Sequence, residues 1–318
     1  MQPPARLAPI ATAPDDAWRF ARRAGERRSG DGIEPSTWLP AVLGRIASGE
    51  RPGRLYVRDG RPAGFVSWTA GSPLGISVDL LYVEPRGELL EEYGRLLATV
   101  ALELGAIAFV HGPVPDLPPA DEQRLFEGLG FRPCSRSEMV RDAGASGPTI
   151  PSPPGERLRA VADGDRVALV ALHRRAYHGT FDRFLFLEVE DEEEDARRAV
   201  EQILGGQFGP FLPEGSPVAE RGGRLVGAVL AVRTPAGALI ADVATDPELQ
   251  HQGIGRRVLS EALRGLAEVG VARVYLNVTE GNEPALRLYR SLGFRRSLGP
   301  SRDWYHAGRI PVAPIRGP

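Results

Sequence analysis

The sequence predicts an α/β protein made of two copies of one domain fold, each a mixed sheet flanked by helices. Three observations lead there. The chain has 318 residues, about twice a ~150-residue domain. A stretch of small residues and prolines from Asp142 to Gly155 breaks both helix and strand near the middle. The halves also repeat each other. Gly60–Val66 (GRPAGFV) matches Gly223–Val229 (GRLVGAV), Val83-Glu84-Pro85 matches Thr245-Asp246-Pro247, and Arg124–Phe131 (RLFEGLGF) matches Arg287–Phe294 (RLYRSLGF), all at shifts of 162 or 163 residues. That period is far too long for a solenoid. Domains are expected at 1–141 and 156–318, joined by a linker at 142–155.

Along the chain, residues 1–15 are rich in Pro and Ala and read as a loose arm. The elements are clearer in the second half. Val161–Tyr177 has helical periodicity, and Glu188–Leu204 is a helix whose acidic start suits the positive end of its dipole. Leu225–Val232 and Leu239–Ala244 are apolar strands divided by the turn Thr234-Pro235-Ala236-Gly237. Ile254–Glu268 is an amphipathic helix closed by Gly270. Arg273–Val278 is a strand, Glu283–Leu292 a helix closed by Gly293, and the tail is extended. Two helices followed by β-β-α-β-α-β imply a mixed sheet.

Composition excludes several chemistries. The chain contains no lysine, so Schiff-base and P-loop lysines are impossible. Cys134 is the only cysteine, which rules out an intrachain disulfide and a cysteine-rich zinc site. No metal is expected. A net charge of −2 gives no reason to expect nucleic acid or an anionic membrane as partner. No apolar run is long enough to span a bilayer, and the start lacks the basic and apolar regions of a leader, so the cytoplasm is the expectation.

The chemistry concentrates in Val243–Arg256 (VATDPELQHQGIGR). A buried strand ends, Asp246-Pro247 turns the chain, and a glycine loop opens a helix whose free amides form an anion site. Gly253 and Gly255 let a phosphate approach where a Cβ would push it away. Val258 stands where a dinucleotide fingerprint has its third glycine, which disfavours a Rossmann site.

The run Gln250-x-x-Gly253-x-Gly255 after this strand end resembles the acyl-CoA pyrophosphate loop of the GNAT superfamily of N-acetyltransferases. Leu276–Phe294 is similar to that family's following strand and helix, and the combined pattern spans roughly residues 223–296. The resemblance implies two GNAT-like domains, each with a mixed, mainly antiparallel sheet flanked by helices, in the layout of tandem-domain members. It implies acetyl-CoA as co-substrate. Val243, Ala244 and Thr245 would meet the pantetheine arm with backbone groups, and one amide near Val243 would polarise the thioester carbonyl. Gln250, His251, Gln252, Gly253, Ile254, Gly255 and Arg256 would hold the pyrophosphate, and Asn282 would contact the cofactor. Tyr289 would protonate the departing thiolate, a transfer that suits a phenol of pKa ~10 and a thiol of pKa ~8.5.

Asn277 stands where some relatives have a glutamate base, and an amide cannot accept a proton. Asp242 is the substitute expected here, acting through a water, with His178 second. In the first half, Arg86-Gly87-Glu88-Leu89-Leu90-Glu91-Glu92 replaces the paired glycines with acidic residues, and Phe126 stands at the tyrosine position. That half is expected to keep the fold without acetyl transfer. Trp304-Tyr305-His306 either line the acceptor pocket through the last strand or simply pack. The expected reaction is acetyl transfer to the primary amine of a small molecule, by a monomer or homodimer. The alternatives are a non-catalytic acyl-CoA-binding or interaction protein and a peptide or protein N-acetyltransferase.

Overall fold

In a computed structural model of the chain, residues 5–26, 35–72, 75–143, 150–180, 182, 192–297, 301–306 and 308 are described. The start of the acidic stretch, 188–191, and linker residues 144–149 lie outside them.

The chain resolves into two compact units. The first runs β1 (Ala5–Ala8), α1 (Pro14–Glu26), α2 (Pro35–Ala47), β2 (Gly53–Arg58), β3 (Arg61–Ser72), β4 (Gly75–Val83), α3 (Leu89–Leu104), β5 (Ile107–Val110), α4 (Pro119–Gly128) and β6 (Phe131–Cys134). The second contains β7 (Arg136–Asp142), β8 (Glu156–Ala160), α5 (Arg166–Tyr177), α6 (Glu192–Leu204), β9 (Pro217–Arg221), β10 (Arg224–Thr234), β11 (Gly237–Thr245), α7 (Ile254–Glu268), β12 (Arg273–Thr279), α8 (Glu283–Ser291) and β13 (Arg295–Arg296). The last strand, β14 (Asp303–His306), belongs to the first unit.

Among the described residues there are two seven-stranded sheets, ordered β1-β2-β3-β4-β5-β14-β6 and β13-β7-β12-β11-β10-β9-β8. Both are mainly antiparallel, with parallel pairing of β4 to β5 and of β11 to β12. The contiguous boundaries 1–141, 142–155 and 156–318 therefore need correction. The first unit's contiguous part ends at Arg136, the strand through Asp142 lies in the second sheet, and β14 returns to the first. The physical reason is pairing. β14 inserts between β5 and β6, where Trp304 stacks on Phe126 at 4.9 Å and donates to the buried Glu122 carboxylate at 2.8 Å. Trp304-Tyr305-His306 thus pack in the first sheet.

In the second unit the helices sandwich the sheet. Ile254, Val258, Leu259, Ala262, Leu263 and Leu266, spaced at the helical period, bury one face of α7 against Val229, Val243 and Val274. Each of the Val, Leu and Ile side chains contributes about 1.5–3 kcal/mol on leaving water. Leu169 and Leu172 of α5, with Val200 and Ile203 of α6, cover the opposite face at Val218 and Leu230. The expected helix 254–268 is observed with those bounds, and the expected helix 188–204 is seen from Glu192. β8 and β9 were not anticipated.

The internal repeat extends to fine geometry. Asp79 is the extra residue of a bulge between β3 and β4, and Ala241 is the extra residue of the matching bulge between β10 and β11.

Candidate active site

β11 and β12 pair through Ala238–Val274, Leu239–Tyr275 and Ile240–Leu276, and then part. The bulge at Ala241 bends β11 at this point. Asp242, Val243, Ala244 and Thr245 remain paired to β10, while their other edge has no strand beside it among the described residues. An extended chain can dock on such an edge through backbone hydrogen bonds.

The turn after β11 is tightly held. The Asp246 carboxylate is buried, accepts from Arg175 Nε at 3.0 Å, and caps the turn by accepting from the Glu248 amide at 3.2 Å. His251 has φ 64° and Gly253 has φ 76°, both left-handed, so the chain swings into α7 with its first amides facing out. Arg257 and Arg221 reach back to this loop. The Gln252 carbonyl accepts from Arg257 Nη1 at 2.9 Å, and its side-chain oxygen accepts from Arg221 Nη1 at 2.8 Å.

Thr245, Gln250, His251, Gly253, Ile254, Gly255 and Arg256 line a groove of about 350 Å³, closed on its other side by Pro284, Arg287, Leu288 and Ser291. None of its lining residues is acidic, and the dipole and free amides of α7 add to Arg256 and Arg287 in favouring an anion. Gly255 is bare for a reason, since a Cβ there would lie 3.2 Å from Thr245 Oγ1 and 3.4 Å from Leu288 Cδ2. Thr245 Oγ1 is itself buried without a hydrogen-bond partner among the described residues. An unsatisfied buried hydroxyl beside a cradle that a Cβ would fill suits a bound polar group.

Two expected cofactor contacts are placed differently. Gln252 does not line the groove, because its side chain is held by Arg221. Asn282 caps α8 by accepting from the Ala285 amide at 3.2 Å, and it too lies outside the lining. Arg287 was missed. It shares a helix face with Pro284, Leu288 and Ser291, and that spacing was the available signal.

At the point where the strands part, the buried Asp242 accepts a 2.7 Å hydrogen bond from the Tyr177 hydroxyl. Burial, then the Asp242 carboxylate, hold the Tyr177 phenol well above its ordinary value, and Asp182 and Tyr289 push the same way. Tyr177 therefore stays a donor at any working pH. Tyr289 is buried on α8 with its ring edge-on to Phe294. His178, the second candidate base, instead points outward and pairs with Glu192 at 2.8 Å. Asn277 lies exposed on β12.

The first unit repeats the parting of its strands after Val78 and Val110. Gly255 is the second residue of α7, and the second residue of α3 is Leu90; Glu92, fourth in α3 as Arg257 is in α7, is buried and paired with Arg58. Phe126, at the position matching Tyr289, is wholly buried and has no proton to give.

The model of the acetyltransferase (GNAT) family matches residues 181–294. A mycothiol acetyltransferase of Thermobispora bispora is 36% identical over 216 residues, covering 64% of this chain and 67% of that protein. The mycothiol acetyltransferase of Thermomonospora curvata is 30% identical over 281 residues, covering 84% and 86%. The chain belongs to the GNAT acetyltransferase family. It is an N-acetyltransferase, and acetyl-CoA is the co-substrate of its family. A GCN5-related N-acetyltransferase from Sphaerobacter thermophilus shares the fold over 99% of this chain and 98% of its own, with a TM-score of 0.63 at 21% identity. No described helix is long and apolar enough to cross a membrane.

Proposed function

We propose that the second unit transfers the acetyl group of acetyl-CoA to the primary amine of a small molecule. The observation that carries this reading is the alignment of three features: the bare edge of β11, the acid-free groove at the start of α7, and Asp242 at the strand divergence. The groove would take the pyrophosphate, and Val243–Thr245 would take the pantetheine arm. When bound, acetyl-CoA supplies an acetyl group on a thiol leaving group.

The chain's own residues handle the protons. An alkylammonium of pKa ~10 must lose a proton before its nitrogen can attack, and Asp242 is the base for that step, directly or through a water. Tyr289 gives a proton to the departing sulfur. The first unit lacks the paired glycines at the start of α3 and has Phe126, without a proton to give, at the tyrosine position, so its role in that transfer is structural support. The relatives named for mycothiol acetylation make their acceptor the first amine to assay.

A peptide amine is the second reading, favoured by 37% identity over 83 residues to the ribosomal protein bS18-alanine N-acetyltransferase of Escherichia coli. The test is acetyl transfer from acetyl-CoA to a panel of small primary amines and peptide N-termini. Turnover confined to peptides would displace the small-molecule reading.

A further inference from the structure

We propose that the first unit carries a catalytic site of its own, in which Ser77 is a nucleophile toward small acyl esters, His111 is its base, and Asp303 positions His111. The proposal does not depend on the acetyl-transfer reading.

Three neighbouring strands, β4, β5 and β14, bring these residues to one face of the first sheet. Ile76 and Val78 flank Ser77 and are buried in the core on the side of α3, as are Val110 before His111 and Trp304 after Asp303. Side chains alternate across a strand, so Ser77, His111 and Asp303 share the opposite face. The His111 amide donates to the Val78 carbonyl at 2.8 Å, which extends the pairing of β4 and β5 by one residue. A Cβ at Gly112 would lie 1.9 Å from the Arg302 carbonyl oxygen, so glycine there lets the chain entering β14 pass close beside His111.

The contacts among the three are direct. The Ser77 hydroxyl lies 3.1 Å from His111 Nε2, and His111 Nδ1 lies 3.2 Å from Asp303 Oδ1. An ionised carboxylate only accepts, so Nδ1 carries the ring proton and Nε2 is left to accept from the Ser77 hydroxyl. Ser301 donates to Asp303 Oδ2 at 2.7 Å and fixes that carboxylate. A hydroxyl on a base that a third group orients is the arrangement that activates a serine. Thr69 and Arg51 hold Asp79 Oδ2, and Asp79 Oδ1 lies 3.7 Å from His111 Nε2. The imidazolium formed when His111 takes the serine proton is therefore flanked by two carboxylates, which stabilise it. The His111 side chain is 35% exposed, so a substrate can reach the pair. Leu239, third in β11 as Ser77 is third in β4, has no hydroxyl, and the second unit does not repeat the site.

In the reaction, Ser77 Oγ bonds to the ester carbonyl carbon and its proton passes to His111 Nε2. The bond from that carbon to the leaving oxygen breaks, and the departing alcohol takes the proton. Water then attacks the acyl-serine, giving its proton to His111, and that proton returns to Ser77 Oγ as the carboxylic acid leaves. Ester and water become acid and alcohol.

The test uses the full chain without coenzyme A, with a fluorophosphonate probe and p-nitrophenyl acetate. The probe is expected to lose fluoride and form an adduct that peptide mass mapping places on Ser77, and the ester is expected to be hydrolysed. Ser77→Ala is expected to remove both. His111→Ala is expected to slow labelling by about 10²-fold or more, the scale of a lost general base, with partial recovery on adding imidazole. Asp303→Asn keeps the shape and removes the charge. Similar slowing at an unchanged melting temperature marks positioning, because a merely structural role would move the melt instead. A wild-type Ser77 that stays unlabelled, a result that needs no variant to fold, would overturn the proposal. So would labelling that proceeds at the wild-type rate in His111→Ala and Asp303→Asn. Amine acetylation without the adduct overturns this site and leaves the transfer reading standing; the adduct without amine acetylation supports this site and counts against the transfer reading.

Discussion

Glu156 and Arg257, 101 residues apart, form a two-pronged ion pair at 2.5 and 2.8 Å in which the carboxylate side chain has no solvent exposure. Arg221 adds a second guanidinium at 2.9 Å, and both arginines also hold Gln252. The pair therefore ties β8, β9 and α7 to the loop that opens the groove. Removing one partner of a buried pair strands the other, so Glu156→Ala is expected to cost about 3–5 kcal/mol. Thermal melts check the loss, and calorimetry is expected to show weaker coenzyme A binding as the loop loosens.

The same carboxyl makes stability depend on acid. Burial alone would raise its pKa, but the hydrogen bonds from Arg257 and Arg221 outweigh burial and hold it below the ordinary 4.5. A depressed folded-state value means that its stabilisation is complete above the unfolded value and is lost as pH falls through the folded one. Asp165 is held down in the same way by Arg159. Melts from pH 7 down to 3 are expected to show a decline below about pH 4.5 that Glu156→Gln makes shallower; an identical slope would contradict it.

Tyr289→Phe removes one oxygen and keeps the ring packed on Phe294. The melting temperature and the KM for acetyl-CoA are expected to hold, while kcat falls about 10²–10⁴-fold, the usual contribution of a positioned acid. Rapid-mixing kinetics check it. A kcat within twofold of wild type would assign proton donation elsewhere.

Sequence patterns that are local were legible, and those that depend on pairing were not. The span of α7 followed from Ile254, Val258, Leu259 and Leu263 because helical burial repeats within the helix itself. The groove followed from Gly253 and Gly255, since a left-handed residue and a close approach each demand glycine. The placement of β14 did not follow. Four residues, Asp303–His306, fit a strand of either sheet, and only Phe126 and Glu122, far away in sequence, select one. The Tyr177–Asp242 bond was hidden for the same reason, joining residues 65 apart. Asn282 caps α8, a role that its amide side chain and its place before Glu283-Pro284 also fit.

Coenzyme A is expected to bind once per chain, although the fold occurs twice. In the second unit, Gly255 leaves room beside Thr245 Oγ1 and Leu288. In the first, Leu90 stands at the matching place of α3 between Glu88 and Glu91, so a diphosphate there would meet side-chain bulk and like charge. Calorimetry of the wild type tests the stoichiometry. Gly255→Val adds branched bulk where even a Cβ is close-packed, and is expected to weaken binding by about tenfold or more, the scale of an overpacked contact. Arg58→Ala in the first unit strands the Glu92 charge and lowers the melting temperature, with the single binding event in the second unit unchanged. Two binding events in the wild type, or one that survives Gly255→Val intact, would move the anion site away from the start of α7.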